Sequence, residues 1–348
     1  AHEFSHILGI GDNYNNPYSV PPRRDYSGPW EMLSRGTFNG PGGPHSRWLI
    51  PGTAGSSMGA QHMLRNKMKL GIVDDAAVLR LSRYALAGSG LVLTRVTART
   101  VDRGLAGITV TLDGGDRSAA CTPAADPLCD GGGYDNYTVE VVDRMGFDSF
   151  TPDSGVLLAK TKNADAAPFI WTIDANPQDI DKVDFVLPDG TPQKMTIGDY
   201  RQLSDALLHA GTDSGSRFDY ADPANRLHFY VLDRRRDRTG VLSYEVAVRS
   251  LDGAGPAVRG VRAWPAAART GPGGWARCTI PVRNTGRASD VLRISAPGAW
   301  LPRTVIGVPG GRVAAVEVYV QRAARVPVTI TSESSPSATA TTSCTVRR

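Results

Sequence analysis

The chain has 348 residues, 41% hydrophobic and 21% charged, with a formal net charge of +5 and many glycines (38) and prolines (24). That balance excludes a disordered chain, and the length favours two or three domains rich in turns and short strands. No apolar run reaches the length of a membrane span, and no basic stripe interleaved with aromatics points to nucleic acid.

The first predicted element is a helix opening on "AHEFSHILGIGDNY". His2 and His6 are four residues apart, so both imidazoles project from one face and can bind one zinc ion, with Glu3 beside them to take a proton from water. A surface helix can carry two histidines by chance, but the stretch continues as His2-Glu3-x-x-His6-x-x-Gly9-x-x-Asp12. Requiring Gly and Asp at fixed offsets makes a chance match roughly a hundredfold rarer. The spacing also has a mechanical reason. Gly9 takes the positive φ that ends the helix and reverses the chain, and Asp12 returns as a third, carboxylate ligand. This is the elongated metzincin spacing, with Asp where a third His more often stands.

A Gly-, Pro-, Asn- and Ser-rich connection follows, including "SRGTFNGPGGPHSRW" (34–48), of a length that marks a functional loop such as the wall of a cleft. Metzincins need a methionine turn beneath the metal. "WEMLSRG" (30–36) offers Met32, which reads equally as a plain core methionine. Met58, Met63 and Met68 lie in or beside a second predicted helix, "GAQHMLRNKMKLG" (59–71), at spacings that suit a packing face, with Gly71 at its end.

From about 86 to 250 the pattern is strand-like, with one short helix expected near 196–211. The basic run "LDRRRDR" (232–238) contains two aspartates and reads as a solvated hairpin tip. Asp143, Asp148 and Asp153 read as turn residues or ion ligands, not as the carboxylate pair of a sugar-cleaving enzyme. Residues 257–348 form a second strand set of β-sandwich size, with 250–260 as linker. Four cysteines fall as two pairs, Cys121 with Cys129 and Cys278 with Cys344. No CxxC occurs, so disulfides in an extracellular protein are expected.

The chain resembles the immune inhibitor A family of secreted bacterial zinc metalloendopeptidases. The resemblance rests on "HEFSHILGIGDNY", "WEMLSRGTFNGPGGPHSRW" and "GAQHMLRNKMKLG", and continues through "GGYDNYTVEVVDRMGFDSFTPDSGVLLAK" (132–160) and "WTIDANPQDI" (171–180). It implies one catalytic Zn2+ on His2, His6 and Asp12, Glu3 as general base, and Met32 as the methionine of the turn. It also implies structural Ca2+, for which the oxygen-rich "GDNYNNPY" (11–18) is a candidate. Where many metzincins place a Tyr directly after the methionine turn, this chain has Leu33, Ser34 and Arg35; Tyr14 and His45 are the alternative donors for an oxyanion or substrate.

The expected architecture is α+β and mostly β. Residues 1–85 form the C-terminal part of a metzincin-like catalytic domain, 86–250 a β-rich sandwich-like domain, and 257–348 a C-terminal sandwich module. The expected activity is hydrolysis of protein or peptide substrates outside the cell. A chain that starts inside its catalytic helix is expected to continue a longer protein carrying a pro-segment and the N-terminal catalytic subdomain, and to be poorly active alone. The rival reading is a non-catalytic extracellular binding module built on the sandwiches. Zinc content separates the two.

Overall fold

A computed structural model describes residues 1–16, 19–40, 59–321 and 325–347. The fold is mostly β. The α-helices among the described residues, His2–Ile7, Leu64–Lys69 and Arg83–Ser89, are all short, and no helix there is long and apolar enough to cross a membrane. Contacts divide the chain into two units: 1–82 with 96–208 and 235–243, and 83–95 with 209–234 and 244–348.

The first unit is built on a five-stranded sheet in the order Val78–Ser82, Gly107–Thr111, Asn136–Val142, Gly155–Thr161 and Ile170–Thr172. Its first pair is parallel and the rest antiparallel. Strand Gly155–Thr161 is buried at every position, so it lacks the polar alternation of a one-sided strand. The segment after the first helix packs here: Ile10, Trp30, Leu33 and Met63 share a core with Leu157, Ala159, Phe169, Ile170 and Leu207. This core joins residues on both sides of position 85. Each buried Leu, Ile, Phe or Met side chain there contributes about 1.5–3 kcal/mol on burial. The Trp30 indole N–H donates to Leu203 O (2.9 Å), satisfying its one polar atom. Gly28, at φ +58°, must be glycine, since a Cβ there would lie 2.8 Å from Leu203 Cβ.

Buried Arg99 locks this region. It binds both oxygens of Asp148 at 2.8 Å and donates to Trp30 O, while Asp148 Oδ1 also accepts the Gln61 amide. Asp143 pairs with Arg236, and Asp153 accepts the Ser154 amide in a turn. The expected helix at 59–71 covers only Leu64–Lys69, with Gly71 (φ +67°) at its end as expected. The helix expected at 196–211 is a single 3-10 turn, Tyr200–Leu203, because Leu208 is extended and bridges Val156. The basic run 232–238 closes strand Leu227–Arg236 and enters the turn before Leu242–Ser250, as a hairpin tip.

A four-stranded sheet, most of whose residues fall in the second unit, orders Leu91–Thr97, Leu242–Ser250, Leu227–Arg236 and Asp219–Asp222. Two further sheets face each other as a sandwich. One holds Val261–Ala263, Trp275–Asn284, Val313–Gln321 and Ala299–Trp300; the other holds Ala266–Arg269, Thr339–Arg347, Arg325–Ser332, Asp290–Ser295 and Val305–Val308. Strand Trp275–Asn284 alternates exposed and buried throughout, sending Ala276, Cys278, Ile280 and Val282 inward. Cys278 and Cys344 are joined across the two sheets, and Cys121 and Cys129 close their own loop in the first unit. Both pairings are those read from the sequence.

Candidate metal centre

The helix His2–Ile7 places both histidines one turn apart, and its end is set by backbone geometry. Leu8 N and Ile10 N donate to Ser5 O, Gly9 N donates to His6 O, and Gly9 sits at φ +84°. Nothing lies within 4 Å of a Cβ built on Gly9, so conformation and not space selects glycine there. The reversed chain brings Asp12 back over the helix. Asp12 Oδ1 lies 3.1 Å from His2 Nε2 and 3.4 Å from His6 Nε2.

The other ring nitrogens are committed. His2 Nδ1 is 3.0 Å from Met32 O, and His6 Nδ1 is 2.9 Å from Ile10 O. A carbonyl only accepts, so both Nδ1 atoms carry the proton and both Nε2 lone pairs face the same carboxylate oxygen. Three acceptors at such distances repel one another unless a cation sits among them or both rings take a second proton. Ligands held by one zinc ion at about 2.0–2.1 Å in tetrahedral geometry stand about 3.3–3.4 Å apart, so the donor set fits zinc in type and spacing. Among the described residues this is the one group of His, Cys, Asp or Glu with three ligand atoms within 4.8 Å of one another. Side-chain exposures of 17% for His2, 32% for His6 and 42% for Asp12 leave one side open to water or a substrate.

Glu3 is exposed in the first turn of the helix, one residue from His2. Its charge acts on Tyr14, as does that of Asp12. Burial, then the Asp12 charge, then Glu3 push the Tyr14 hydroxyl above its usual range, so it stays protonated; Arg35, whose guanidinium lies 5.1 Å from the ring centroid, opposes them. His45 and Met58 lie outside the described residues.

Met32 meets the site through its backbone carbonyl on His2. Its Sδ and Cε lie against Gly59, where a Cβ would come within 3.0 Å of the sulfur. Met63 is in the core, and Asn13 and Asn15 hold backbone: Asn13 Oδ1 accepts from Phe169 N and Ile170 N, and Asn15 Nδ2 donates to Arg24 O. The oxygen of Asn13 is thus already used within the stretch considered for calcium.

Sequence reading missed the network beneath the helix. Glu31 is fully buried; its Oε1 accepts from Leu33 N (3.3 Å) and His62 Nδ1 (2.7 Å), and its Oε2 accepts from Met63 N. His62 Nε2 in turn lies 2.9 Å from the Ser5 hydroxyl, on the buried side of the ligand helix, and Ser5 Oγ donates to Ala1 O. The one available signal was an acid next to Met32, which a single sequence does not separate from a surface acid. Beside this network a cleft of about 840 Å³ is lined by Ala1, Met32, His62, Lys67, Arg99 and Glu140, among others. Burial, reinforced by Arg99, pulls the Lys67 amine down to about 8, and burial pushes the Glu140 carboxyl up.

Comparison with known proteins bears on both ends of the chain. A protein of the fungus Arthroderma benhamiae named "Putative secreted metallopeptidase" is 47% identical over 386 aligned positions. The match takes in the whole of this chain but only 56% of that protein's length. A protein-family model described as a middle domain matches residues 69–251, beginning after the His2, His6 and Asp12 group. The chain belongs to the family that this middle domain defines.

Proposed function

We propose that the chain carries the metal ligands and general base of a secreted zinc-dependent endopeptidase of the metzincin type, similar to the immune inhibitor A family in its motif. The convergence of His2 Nε2, His6 Nε2 and Asp12 Oδ1, with both Nδ1 atoms already bound to carbonyls, carries this reading. The name of the fungal relative supports a secreted metallopeptidase, and the two disulfides suit an oxidising compartment. Because the chain spans 56% of that relative, the activity is assigned to the whole protein, with residues 1–85 as the later part of its catalytic domain.

Bound at this centre, zinc supplies Lewis-acid polarisation of a scissile carbonyl and of water. Glu3 accepts the proton of the attacking water and returns it to the leaving amine. The carbonyls of Met32 and Ile10 hold the two imidazoles in the tautomer that presents Nε2. Tyr14, two residues past Asp12, is the candidate donor to a substrate carbonyl. The cleft beside Met32 and His62 gives room for a substrate side chain.

Competition with a chromophoric chelator tests the reading. The purified chain should take up about one zinc ion, and His6→Ala should abolish uptake. Glu3→Gln should keep the metal but abolish casein hydrolysis by the full-length protein. The 348 residues alone should hydrolyse little, since a six-residue helix is marginal without further packing. Intact hydrolysis in Glu3→Gln, or zinc uptake indifferent to His6→Ala, would overturn the assignment.

A further inference from the structure

A second site lies on the outer face of the C-terminal sandwich and is independent of the peptidase reading. In the sheet containing Trp275–Asn284, alternate residues point outward, and most are those expected of a solvated face, such as Arg277, Thr279 and Arg283. One end breaks the rule. Trp275, Trp300 and Tyr319 stand there on three neighbouring strands, and both tryptophans are 41% exposed. Trp300 is in register with Tyr319; their ring centroids are 5.0 Å apart and inclined at 62°. The three rings alone line a concavity of about 420 Å³.

The rings are held, not merely exposed. Trp300 Nε1 donates to Asp213 Oδ2 (2.7 Å), and the Asp213 loop is tied to the same strand end through Thr212, which donates to Leu301 O and Pro302 O. The Tyr319 hydroxyl donates to Glu317 (3.1 Å), which pairs with Arg277 at 3.5 Å. Trp275 follows a glycine turn in which Gly273 passes close to its ring, a Cβ there lying 3.8 Å from Trp275 Cδ1. The lining is thus apolar π faces, and the rim carries Asp213, Glu317, Arg277 and Gln321 as acceptors and donors.

A ligand matching this must present flat C–H faces to the rings and hydroxyls to the rim. A lipid chain or a core-type protein surface would strand the rim charges, whereas a pyranose ring with equatorial hydroxyls has both features. Its C–H bonds meet the negative π face, and its edge hydroxyls can bond the carboxylates and the guanidinium. The volume lies within the roughly 300–1,000 Å³ of small-ligand sites. We propose that this face binds neutral β-linked polysaccharide, which would anchor the protein to a glycan surface.

The full chain is incubated with insoluble cellulose, β-1,3-glucan and chitin and sedimented, and its tryptophan fluorescence is titrated with the soluble hexasaccharide of each. Saturable binding to at least one is expected. Trp300→Ala and Tyr319→Ala should each weaken it by about tenfold or more, with Arg283→Ala, on the same face but outside the patch, unchanged. These positions are exposed or half-buried, and far-UV circular dichroism and melting curves matching the parent confirm that a variant is folded; Trp300→Phe should recover part of the binding. No saturable binding to any of the three glycans overturns the proposal. So does glycan binding that the ring substitutions leave intact, or binding only to phosphatidylcholine vesicles, which would mark the rings as a cage for quaternary ammonium groups.

Discussion

Glu31→Gln is the most informative single substitution, because it removes charge without removing volume. The carboxylate accepts three N–H groups: Leu33 N and His62 Nδ1 on one oxygen, and Met63 N on the other. A glutamine must place its NH2 where one of those oxygens stood. Either orientation therefore sets N–H against N–H, at Met63 or at Leu33 and His62. An unsatisfied buried donor costs about 1–3 kcal/mol, and the charge-assisted bond to His62 is worth about 1.5–3 kcal/mol. A loss of about 3–5 kcal/mol in urea unfolding is expected. The damage should also reach the metal. Met32, the next residue, orients His2 through its carbonyl, and His62 braces Ser5 on the ligand helix. Loss of such support typically costs about 10–100-fold in metal affinity, so chelator competition should report a zinc affinity lower by at least tenfold. An unfolding free energy within 1 kcal/mol of the parent, with unchanged zinc affinity, would refute the idea that this network holds the helix.

Three further outcomes follow from other parts of the molecule. Gly9→Ala should destabilise by about 1–2 kcal/mol through backbone strain alone, since its Cβ meets no neighbour, and Gly9→Asn should cost less; equal losses measured by thermal unfolding would contradict this. Removing the Cys278–Cys344 bridge as a double serine variant opens a loop with a sequence separation of 66 and should cost about 4 kcal/mol in denaturant unfolding, on the chain-entropy account. Burial pushes the Asp25 carboxyl up to about 6, against the pull of Arg35, the Tyr26 amide and Arg24. The folded state thus keeps the Asp25 proton at pH values where the unfolded chain has lost it. The stability from this group is full below about pH 4 and is lost as pH rises through about 6, roughly 3 kcal/mol in all. Asp25→Asn should flatten that slope in unfolding curves taken between pH 4 and 7.

What could be read from sequence is what is local. The strand Trp275–Asn284 was legible because its alternation depends on nothing but the pleat, and the two disulfides because only two sensible pairs exist. The stretch 196–211 misled because Leu203, Ala206 and Leu207 fall at helical spacing, yet burial there comes from Trp30 capping Leu203 and from Leu208 bridging Val156. The first turns of the helix expected at 59–71 fail for a related reason. Gly59 is at φ +80°, and the Met63 amide is drawn to Glu31, so residues before 64 stay extended. A tertiary partner overrode propensity in both places.

The group of His2, His6 and Asp12 divides along the same line. His2, His6, Gly9 and Asp12 lie within eleven residues, so helix geometry and one turn bring them together, and their spacing could be read before any coordinates. The state of the ligands could not. What turns each imidazole so that Nε2 faces Asp12 is a backbone carbonyl, from Ile10 nearby and from Met32 thirty residues away. Every residue has a carbonyl, so no residue type signals that role, and Met32 was singled out for its side chain when the atom that reaches His2 is its main-chain oxygen. Substituting Met32 by Leu, which keeps that oxygen, should therefore disturb zinc binding far less than Glu31→Gln, which disturbs the turn that aims it. If Met32→Leu proved the more damaging of the two, the sulfur would have to serve the metal site directly, and the support assigned to the backbone would be misplaced.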